Sequence, residues 1–414
     1  MRLLHTSDWH VGKTNFGVGR DADHDHVFEQ IRDIAKDEKV DLILHTGDLY
    51  EKPDPGTDVL KRGIGYIEEL AEVAPLIMVV GNHDSNGMFE LIDALISRRP
   101  PRAYPIHIFH TARLKSQGLG LLELGTKNGK QRILFAGLPF VRPASFAKQF
   151  AMLGAGLVGL EFADQMERLT HRIADQYRVT YDPSTDVRLF GAHVLLQGSV
   201  VGGKDRGERP LDIEQHTFGV RSGAVPVVDY AGLGHVHKAQ TPPGCSYARY
   251  AGSPLAVDFG ESGEPKGIQL VEITPGLPTT PRFMPLDVGR ELISLTLRYE
   301  DLPTQGPLLA GKVVKLTVLL EGSERNVYDR VRECLPDAVI ARVIEQVVFQ
   351  PAAEAAEPVD LAAISPPDLF DTYILGRSGV DKELTGRYFR ELYAGAIVGE
   401  RIAIADVDRL EEQS

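Results

Sequence analysis

The sequence predicts a layered α/β fold, followed by a small α+β domain and a tethered helical tail. Up to about residue 274, strand-like apolar runs alternate with helical patterns, which is typical of sheets flanked by helices. Prolines at positions 275, 278, 281 and 285 then interrupt any regular pattern and predict a domain boundary. A stretch rich in Pro, Ala and Glu at 350–358 predicts a second break before the tail.

The first region contains seven predicted strands and three helical segments. Apolar runs predict strands at residues 2–6, 40–44, 76–80, 187–190, 227–231, 247–255 and 268–273, the last of which would close the sheet. Apolar residues at three- and four-residue spacing predict amphipathic helices at 28–34 and 60–73. A longer helical segment, interrupted by glycines, is expected at 146–177.

These patterns divide the chain into four parts. Residues 1–280 are predicted to form the main domain, 286–349 a small capping domain, 350–364 a flexible linker and 365–414 a tail of C-terminal helices. Within the capping domain, strands are predicted at 292–299, 313–320 and 338–349, with a helix at 327–335.

Two amphipathic helices are predicted in the tail. Ser365 or Asp368 would cap the first helix. The predicted apolar faces are Leu369, Phe370, Tyr373 and Ile374 on the first helix, and Leu384, Tyr388, Leu392 and Tyr393 on the second. Two short helices on a tether cannot bury both faces alone. They are therefore expected either to fold back on the body or to dock on the helices of a partner.

The composition, with 43% hydrophobic and 25% charged residues, is that of a globular protein. No apolar stretch approaches the roughly 20 residues that cross a bilayer. The first residues lead straight into a strand, without the pattern of a signal peptide. We therefore expect no membrane association. Cys245 and Cys334 are the only cysteines, so no disulfide framework is predicted and the cytoplasm is the default location.

The net charge of −13 is unfavourable for binding nucleic acid, because neutralisation of phosphates supplies most non-specific affinity. Two basic clusters offset it locally: Arg98, Arg99, Arg102, Arg113 and Lys115 in the first, and Arg206, Arg209 and Arg221 in the second. Each is either a solvated loop or part of a binding surface. If DNA is the substrate, bound metals and a partner must supply part of the attraction.

Five short segments place potential metal ligands just after strand-like runs. They contain Asp8 with His10, Asp48, Asn82 with His83 and Asp84, His193, and His235 with His237. Ligands of α/β sheets bind beyond the carboxyl ends of the strands, so these segments predict one converging site with room for two metals. Oxygen and imidazole donors without thiolate favour manganese, iron or zinc.

The charges of these residues favour phosphoester hydrolysis. Asp48, like any carboxylate, has two oxygens and can bridge two ions, whereas Asn82 adds a neutral oxygen. Two divalent ions exceed the negative charge of Asp8 and Asp48 by two units. One hydroxide and one phosphodiester oxygen would balance that excess.

Each motif alone is weak evidence, because Asp-x-His and His-x-His pairs are structural more often than not. The tetrapeptide at 81–84 (GNHD) is more specific, and five such segments in order make coincidence implausible. Other histidines have structural interpretations. His5 and His45 lie inside strands and are expected to be hydrogen-bonded core residues, while His24 and His26 either support the first metal loop or decorate a helix.

The ordered motifs resemble those of the calcineurin-like metallophosphoesterases. Within that superfamily, residues 4–10 (LHTSDWH), 250–255 (YAGSPL) and 259–261 (FGE) are similar to the SbcD family, the nuclease subunits of bacterial SbcCD complexes. The resemblance extends over the whole chain. It implies a layered metallophosphoesterase β-sandwich flanked by helices, with residues 1–280 as the nuclease domain.

The resemblance also implies a role for each candidate residue. Asp8, His10, Asp48 and His237 would hold one ion, and Asp48, Asn82, His193 and His235 the other. His83 would be a catalytic histidine near the leaving oxygen, with Asp84 as its orienting carboxylate. Some relatives have a histidine where Glu51 stands, which leaves the balance of exonuclease and endonuclease activity open.

The activity implied by the resemblance is hydrolysis of DNA ends and hairpins with two divalent metal ions, manganese being favoured. The nuclease subunit would form a homodimer and bind an SbcC-type coiled-coil ATPase, on which the tail helices would dock. Two alternatives stay open. The first is a phosphatase or phosphodiesterase acting on small phosphoesters; protein phosphatases are disfavoured by residues 51–53 (EKP) and Asp84. The second is a non-catalytic scaffold, which the complete ligand set disfavours.

Overall fold

The computed structural model describes residues 1–98, 103–111, 121–142, 162–201, 219–322, 324, 326–348, 365–375 and 381–398. By its contacts the chain divides into two units, Met1–Val348 and Phe349–Ser414. Several predictions concern residues outside the described part. They are the linker at 350–364, the first half of the helical segment at 146–177, and every residue of the two basic clusters except Arg98 and Arg221.

The described strands, in chain order, are β1 (Arg2–Thr6), β2 (Thr14–Asn15), β3 (Val18–Gly19), β4 (Leu42–His45), β5 (Leu76–Val79), β6 (Ile106–Phe109), β7 (Leu122–Gly125), β8 (Arg132–Leu138), β9 (Asp186–His193), β10 (Tyr230–Gly234), β11 (Ala248–Tyr250), β12 (Gly267–Glu272), β13 (Thr280–Pro285), β14 (Leu292–Arg298), β15 (Val313–Leu320) and β16 (Val339–Val347). The α-helices are α1 (Asp21–Asp37), α2 (Thr57–Ala71), α3 (Asn86–Ile96), α4 (Phe162–Asp175), α5 (Tyr177–Thr180), α6 (Gly306–Leu309), α7 (Val327–Cys334), α8 (Pro366–Leu375) and α9 (Lys382–Val398).

Two sheets form the body of the first unit. The first has the order β13-β12-β1-β4-β5-β6, and the second has the order β11-β10-β9-β8-β7. In the first sheet β1, β4, β5 and β6 run parallel to one another, while β12 and β13 are antiparallel. In the second sheet β8 to β11 are parallel, and only β7 is antiparallel. The carboxyl ends of the parallel strands therefore meet at one edge of each sheet.

The sheets pack face to face, and helices cover their outer faces. Leu3 of β1 lies in a shared core with Phe135 of β8 and Leu189 of β9, whereas the next residue, Leu4, faces α1, α2 and α3. This alternation follows from the two-residue period of a strand. On the far side, Leu169 of α4 packs with the outer face of the second sheet. The predicted layered α/β sandwich flanked by helices is confirmed.

Two sequence predictions about strands are wrong. β12 does not close the first sheet, because β13 pairs along it and carries the sheet to Pro285. Pro281 and Pro285 are accommodated since an edge strand has one side without ladder hydrogen bonds. The strand predicted at 227–231 instead begins at Tyr230, because Val227 is 74% exposed and Asp229 is held in an ion pair with Arg188.

The small sheet near the end of the first unit has its own core. β14, β15 and β16 are parallel neighbours in that order, and Leu316 and Val318 of β15 pack against Val331 of α7. By contacts this region belongs to the same unit as the two larger sheets. Its status as a separate capping domain at 286–349 stays a prediction.

In the second unit α8 and α9 pack against each other. The rings of Phe370 and Phe389 stack with centroids 3.9 Å apart, and Ile374 is buried. The Ser365 hydroxyl accepts a hydrogen bond from the backbone N–H of Asp368 at 3.4 Å, as expected of a helix cap. Leu369 and Tyr373 belong to the predicted apolar face of α8, yet they are 45% and 57% exposed.

Among the helices that the structure describes, none combines the length and the apolar character that crossing a bilayer requires.

Candidate metal centre

The predicted ligands all follow strands whose carboxyl ends meet at one edge of the sandwich. Asp8 and His10 follow β1, Asp48 follows β4, Asn82 follows β5, His193 ends β9, and His235 and His237 follow β10. Contacts between their side chains join them into one cluster. The fold therefore brings the predicted ligands together from strand ends that are far apart in the chain.

The chain turns sharply at these strand ends. Asp8, His10 and Asp48 have φ angles of 53°, 50° and 54°, and His235 has a φ of 93°. Side chains other than glycine rarely occupy this left-handed region, and such conformations are held at a cost where function requires them. Here the turns direct the side chains into the space between the strand ends.

Two glycines make room for the ligands. Gly47 has a φ of 106°, and a Cβ atom there would lie 2.2 Å from the Nδ1 atom of His193. A Cβ atom at Gly81 would lie 2.1 Å from the Oδ1 atom of Asp48. Only glycine permits the backbone to approach these side chains so closely.

The first group of candidate ligands is Asp8, His10 and His237, whose donor atoms lie within 4.8 Å of one another. The Nε2 atoms of His10 and His237 face each other at 3.1 Å. Each ring binds a carboxylate through its other nitrogen: His10 Nδ1 is 2.9 Å from Glu51, and His237 Nδ1 is 2.8 Å from Glu261.

The second group is Asn82, His193 and His235. The Asn82 Oδ1 atom lies 2.8 Å from His193 Nε2 and 2.8 Å from His235 Nδ1. His193 Nδ1 donates to the backbone carbonyl of Thr46 at 2.8 Å, which fixes the orientation of its ring. Phe140 stacks on the His235 ring, with centroids 6.0 Å apart, and forms an apolar wall beside the group.

Asp48 lies between the two groups. Its Oδ2 atom is 3.4 Å from His193 Nε2 and 3.8 Å from His10 Nε2, and the side chain is 2% exposed. Its Oδ1 atom accepts the backbone N–H of His83 at 2.8 Å. This position is the one that a carboxylate bridging two cations would take.

His83 and Asp84 contact different partners. The His83 Nδ1 atom lies 2.8 Å from the backbone carbonyl of Glu51, and a ring nitrogen of His83 is within ligand range of His10 and Asp48. The Asp84 carboxylate accepts the backbone N–H groups of Leu49, Tyr50 and Gly81 at 3.0–3.3 Å. This differs from the predicted arrangement, in which Asp84 orients the His83 ring. The Asp84 carboxylate instead links the loop that contains Asp48 to the loop that contains Asn82.

Burial and close charges shift several pKa values in the centre. Burial disfavours the charged form of His193, but the Asp48 carboxylate outweighs it and raises the pKa of His193 to about 9. Burial, reinforced by the charge of His193, lowers the pKa of His235 to about 3. Burial raises the pKa of Asp84 to about 6, with a further contribution from the negative charge of Asp48. A cation at His193 Nε2 would displace the proton of that ring.

The Glu51 carboxylate behind the first group stays ionised despite burial. Burial favours the neutral form of Glu51, yet the hydrogen bond from His10, the positive charge of His10 and the Lys13 ammonium lower its pKa to about 2. For His237, burial opposes the charged form, but the Glu261 carboxylate raises the pKa above its ordinary value. An ionised carboxylate only accepts hydrogen bonds, so it places the imidazole proton on Nδ1.

The donor set therefore fits divalent cations. With their protons on Nδ1, His10 and His237 direct the lone pairs of their Nε2 atoms at one point, where the nitrogens are 3.1 Å apart. Two lone pairs at that separation repel unless a proton or a cation lies between them. Histidine ligands of metals commonly bind a carboxylate through the other ring nitrogen, as here.

Three residues of the site were not assigned a role from the sequence, although Glu261 lies in one of the motifs that carry the family resemblance. Glu261 lies in the 3₁₀ turn Phe259–Glu261 and binds His237, Lys266 lies 2.5 Å from the second oxygen of Glu261, and Phe140 lies beside His235. No sequence signal connects any of these residues with a histidine far away in the chain. Glu51 stands out in the sequence only because it departs from some relatives.

The structural interpretations of His5 and His45 are confirmed by their surroundings. His5 contacts the Tyr230 hydroxyl at 2.8 Å and the Thr46 hydroxyl at 2.9 Å, and burial lowers its pKa to about 3. His45 accepts the backbone N–H of Gly47 at 3.3 Å, and burial likewise lowers its pKa to about 3. His24 contacts the backbone carbonyl of Trp9 at 2.8 Å, so it supports the first metal loop.

Comparison with known families agrees with this centre. The family model of calcineurin-like phosphoesterases matches residues 1–155, a stretch that contains the first three ligand segments and His83. This part of the chain is similar to the calcineurin-like phosphoesterases. The prediction of a metal-dependent phosphoesterase enzyme is thereby confirmed. The candidate ligands His193, His235 and His237 lie beyond the matched residues, at the ends of β9 and β10. The folding of the chain brings them next to the candidate ligands of the matched part.

Curated relatives share a more specific name. The phosphoesterase is 28% identical over 285 residues to the SbcD subunit of the SbcCD nuclease from Escherichia coli (strain K12), covering 67% of this chain and 66% of that one. It is 28% identical over 307 residues to the protein of the same name from Bacillus subtilis (strain 168), covering 71% of each. The matched part thus spans about two thirds of these relatives. The predicted similarity to the SbcD family is confirmed.

Among solved structures, TT1561 of Thermus thermophilus covers 68% of the phosphoesterase and 98% of its own chain, with 13% identity and a TM-score of 0.34. A dimetal phosphatase from Danio rerio gives the same coverages with 10% identity and a TM-score of 0.37.

Proposed function

We propose that this phosphoesterase is a manganese-dependent DNA nuclease. It would act as an exonuclease on double-stranded ends and as an endonuclease on hairpins and single strands, in DNA end processing, repair and recombination. The observation that carries the proposal is the pair of ligand groups joined by Asp48 in a chain similar to SbcD nuclease subunits. A phosphodiester bond between two such groups could be clamped from both sides.

Two divalent cations, manganese in our proposal, would supply the positive charge that polarises a phosphodiester and activates water for in-line attack. The first cation would be held by Asp8, His10, Asp48 and His237, and the second by Asp48, Asn82, His193 and His235. The buried carboxylate of Asp48 faces both groups, which suits it to the shared position.

His83 is the proposed catalytic side chain. Its Nδ1 atom is fixed by the Glu51 carbonyl, which only accepts hydrogen bonds, so Nδ1 carries a proton and Nε2 is left to face the substrate. Protonated at Nε2, the ring would donate to the leaving oxygen or stabilise charge on the phosphate in the transition state. Asp84 would act indirectly, because its carboxylate holds the loops of Asp48 and His83 together.

The proposal is tested with end-labelled linear duplex DNA and a labelled hairpin, each incubated with the wild-type protein and Mn²⁺, Mg²⁺ or chelator. We expect products with Mn²⁺ and none with chelator. The same samples are offered a generic phosphodiester such as bis(p-nitrophenyl) phosphate. Hydrolysis of the generic ester without any cleavage of DNA, even after addition of an SbcC-type partner, would contradict a DNA nuclease and favour a phosphodiesterase for small esters.

We also propose that the second unit docks on an SbcC-type coiled-coil ATPase. After α8 and α9 pack against each other, Leu369, Tyr373, Leu375 and Leu392 are still 45–66% exposed. An exposed apolar face on a helix pair suits a groove of partner helices. Because the net charge is −13, we propose that this partner and the bound metals together supply part of the attraction for DNA.

Deleting residues 351–414 is expected to abolish binding of the ATPase while Mn²⁺ binding stays unchanged, because every predicted ligand lies in the first unit. Leu369→Glu with Tyr373→Glu should weaken the complex to a similar extent. Glu383→Lys, an exposed change in α9 away from that face, is the control. Measurement is by co-elution and calorimetry; full binding by the deleted chain would contradict the proposal.

A homodimer of the phosphoesterase is likewise proposed. α1 and α2 bury their apolar faces against the first sheet, whereas α3 leaves Leu91 and Leu95 59% and 49% exposed, four residues apart on one face. Light scattering should give a dimer for the wild type and a monomer for Leu91→Glu with Leu95→Glu. A wild-type monomer at micromolar concentration would contradict this.

The cytoplasm stays the proposed location. Both Cys245 and Cys334 are free thiols, as a reducing compartment favours.

A further inference from the structure

Behind each of the two facing imidazoles lies a carboxylate that is paired with a lysine. In the first row, His237 contacts the Glu261 carboxylate at 2.8 Å, and Glu261 contacts the Lys266 ammonium at 2.5 Å. In the second row, His10 contacts the Glu51 carboxylate at 2.9 Å, and Glu51 contacts the Lys13 ammonium at 2.8 Å. The two rows meet at the histidines, whose Nε2 atoms are 3.1 Å apart. The same three residue types thus support one metal position from opposite sides.

The two rows differ in their exposure to solvent. Lys266 and Glu261 have side chains 2% and 0% exposed, whereas Lys13 and Glu51 are 19% and 18% exposed. Lys266 is also bound by the Ser253 hydroxyl at 3.0 Å and the His237 carbonyl at 3.2 Å. An ammonium group taken out of water this far is costly unless a carboxylate and further acceptors surround it. The arrangement around Lys266 meets that condition, while the Lys13 pair keeps partial access to solvent.

The Lys266 ammonium is bound by Glu261 and by a backbone carbonyl, and its effect on the His237 ring passes through Glu261. The carboxylate has two oxygens; Oε2 accepts from Lys266 and Oε1 accepts from His237 Nδ1. Fixing Oε2 fixes the direction of Oε1, and with it the plane of the His237 ring. Oε2 also accepts from the Val257 backbone N–H at 3.2 Å and from the Ser253 hydroxyl at 3.3 Å. Both of these donors are neutral, so without the ammonium group the buried carboxylate would lose its lysine counter-ion and Oε2 would be held less firmly.

We infer that Lys266 and Lys13 are positioning residues for one metal position, acting on His237 through Glu261 and on His10 through Glu51. The inference rests on the proposed metal site and is independent of DNA as the substrate. The buried pair of Glu261 and Lys266 holds His237 in place at any ionic strength. The pair of Glu51 and Lys13 holds His10 to a degree that depends on ionic strength, because Lys13 is partly exposed and salt screens such pairs.

The test is a calorimetric Mn²⁺ titration of the full chain and of Lys266→Met, Lys13→Met and Lys312→Met. Lys312 forms a 2.8 Å pair with Glu291 that touches no histidine and serves as the matched control. We expect Lys266→Met to lower the affinity for one of the two Mn²⁺ ions about 10- to 100-fold and to leave the affinity for the other unchanged. Lys13→Met should weaken the same ion less than about 10-fold, with an effect that shrinks between low and high salt. Lys312→Met should bind both ions as the wild type does.

A second readout needs no metal. In the metal-free chain with ¹⁵N-labelled histidine, the hydrogen-bonded Nδ1–H of His237 should give a downfield, slowly exchanging proton signal, assigned by its loss in Glu261→Gln. Lys266→Met should broaden or remove this signal, and Lys312→Met should not. Loss of metal affinity with an intact His237 signal would overturn the route through Glu261. An equal loss of affinity for both ions would overturn the assignment of Lys266 to one metal position. Wild-type Mn²⁺ affinity together with a wild-type His237 signal would overturn the inference altogether.

If Lys266→Met does not fold, the double variant Lys266→Met with Glu261→Gln replaces the buried ion pair by neutral groups and avoids an uncompensated charge. It should fold and show the same loss at one ion; wild-type affinity in the double variant would overturn the inference. A chain that binds Mn²⁺ but cleaves no DNA would refute the proposed nuclease and leave this test intact. A wild-type chain that binds no metal would refute the metal site, and the His237 signal would still decide whether Lys266 positions the ring.

Discussion

Replacing Asp48 by alanine is expected to remove both metal ions and to lower the rate of phosphodiester hydrolysis by more than about 1,000-fold. A bound metal supplies several kcal/mol of transition-state stabilisation, and each 1.4 kcal/mol changes the rate about tenfold. Asp48 is 2% exposed and lies within 3.8 Å of imidazole nitrogens from both ligand groups. Its removal therefore takes a ligand from each position and leaves His193 without the carboxylate that raises its pKa.

The measurement is metal content after dialysis, together with the rate on labelled duplex DNA and on a generic phosphodiester. Asp58→Ala, an exposed change in the first turn of α2, is the control for handling and folding. Asp48→Asn provides a sharper comparison, because it keeps the shape and the hydrogen bond from the His83 backbone while removing the charge. An Asp48→Ala protein that still holds two ions would disprove the shared position.

Replacing His83 by alanine is expected to keep both ions and to reduce turnover by about 100- to 10,000-fold, the range of a lost general acid. The His83 ring is held by the Glu51 carbonyl, and the Asp48 contact to this residue uses the backbone N–H, which alanine retains. Loss of the ring should therefore leave Asp48 in place. The effect should appear in kcat more than in KM, because the ring acts in the transition state.

The comparison is made on the same two substrates, with Mn²⁺ content measured in parallel. His171→Ala on the exposed face of α4 is the matched control and should behave as the wild type. Near-normal turnover with full metal content would remove His83 from the chemistry. Loss of one ion would make His83 a ligand, a role that its distance to His10 and Asp48 permits.

The sequence was sufficient for the fold class because the buried strands have a strong local signal. β1 and β4 are apolar runs of four or five residues that end at Asp- and His-containing turns, and their order in the chain is evident from residue types alone. The same local signal failed at β13, where prolines mask an edge strand, and at 227–231, where an apolar run is exposed. Pairing partners and solvent exposure decide such cases, and neither is encoded locally.

The candidate metal ligands could be predicted from the sequence because each one lies beside its own strand end, where a local motif marks it. The carboxylates and the lysine behind the histidines could not be predicted in that way. Glu261 and Lys266 reach His237 from a separate turn, and Glu51 reaches His10 from 41 residues away. The sequence by itself indicated which residues are candidates for the chemistry, since residue type and strand-end position are local properties. Only the tertiary structure decided which carboxylate and which lysine stand behind each histidine, because hydrogen bonds between distant segments depend on how the two sheets pack.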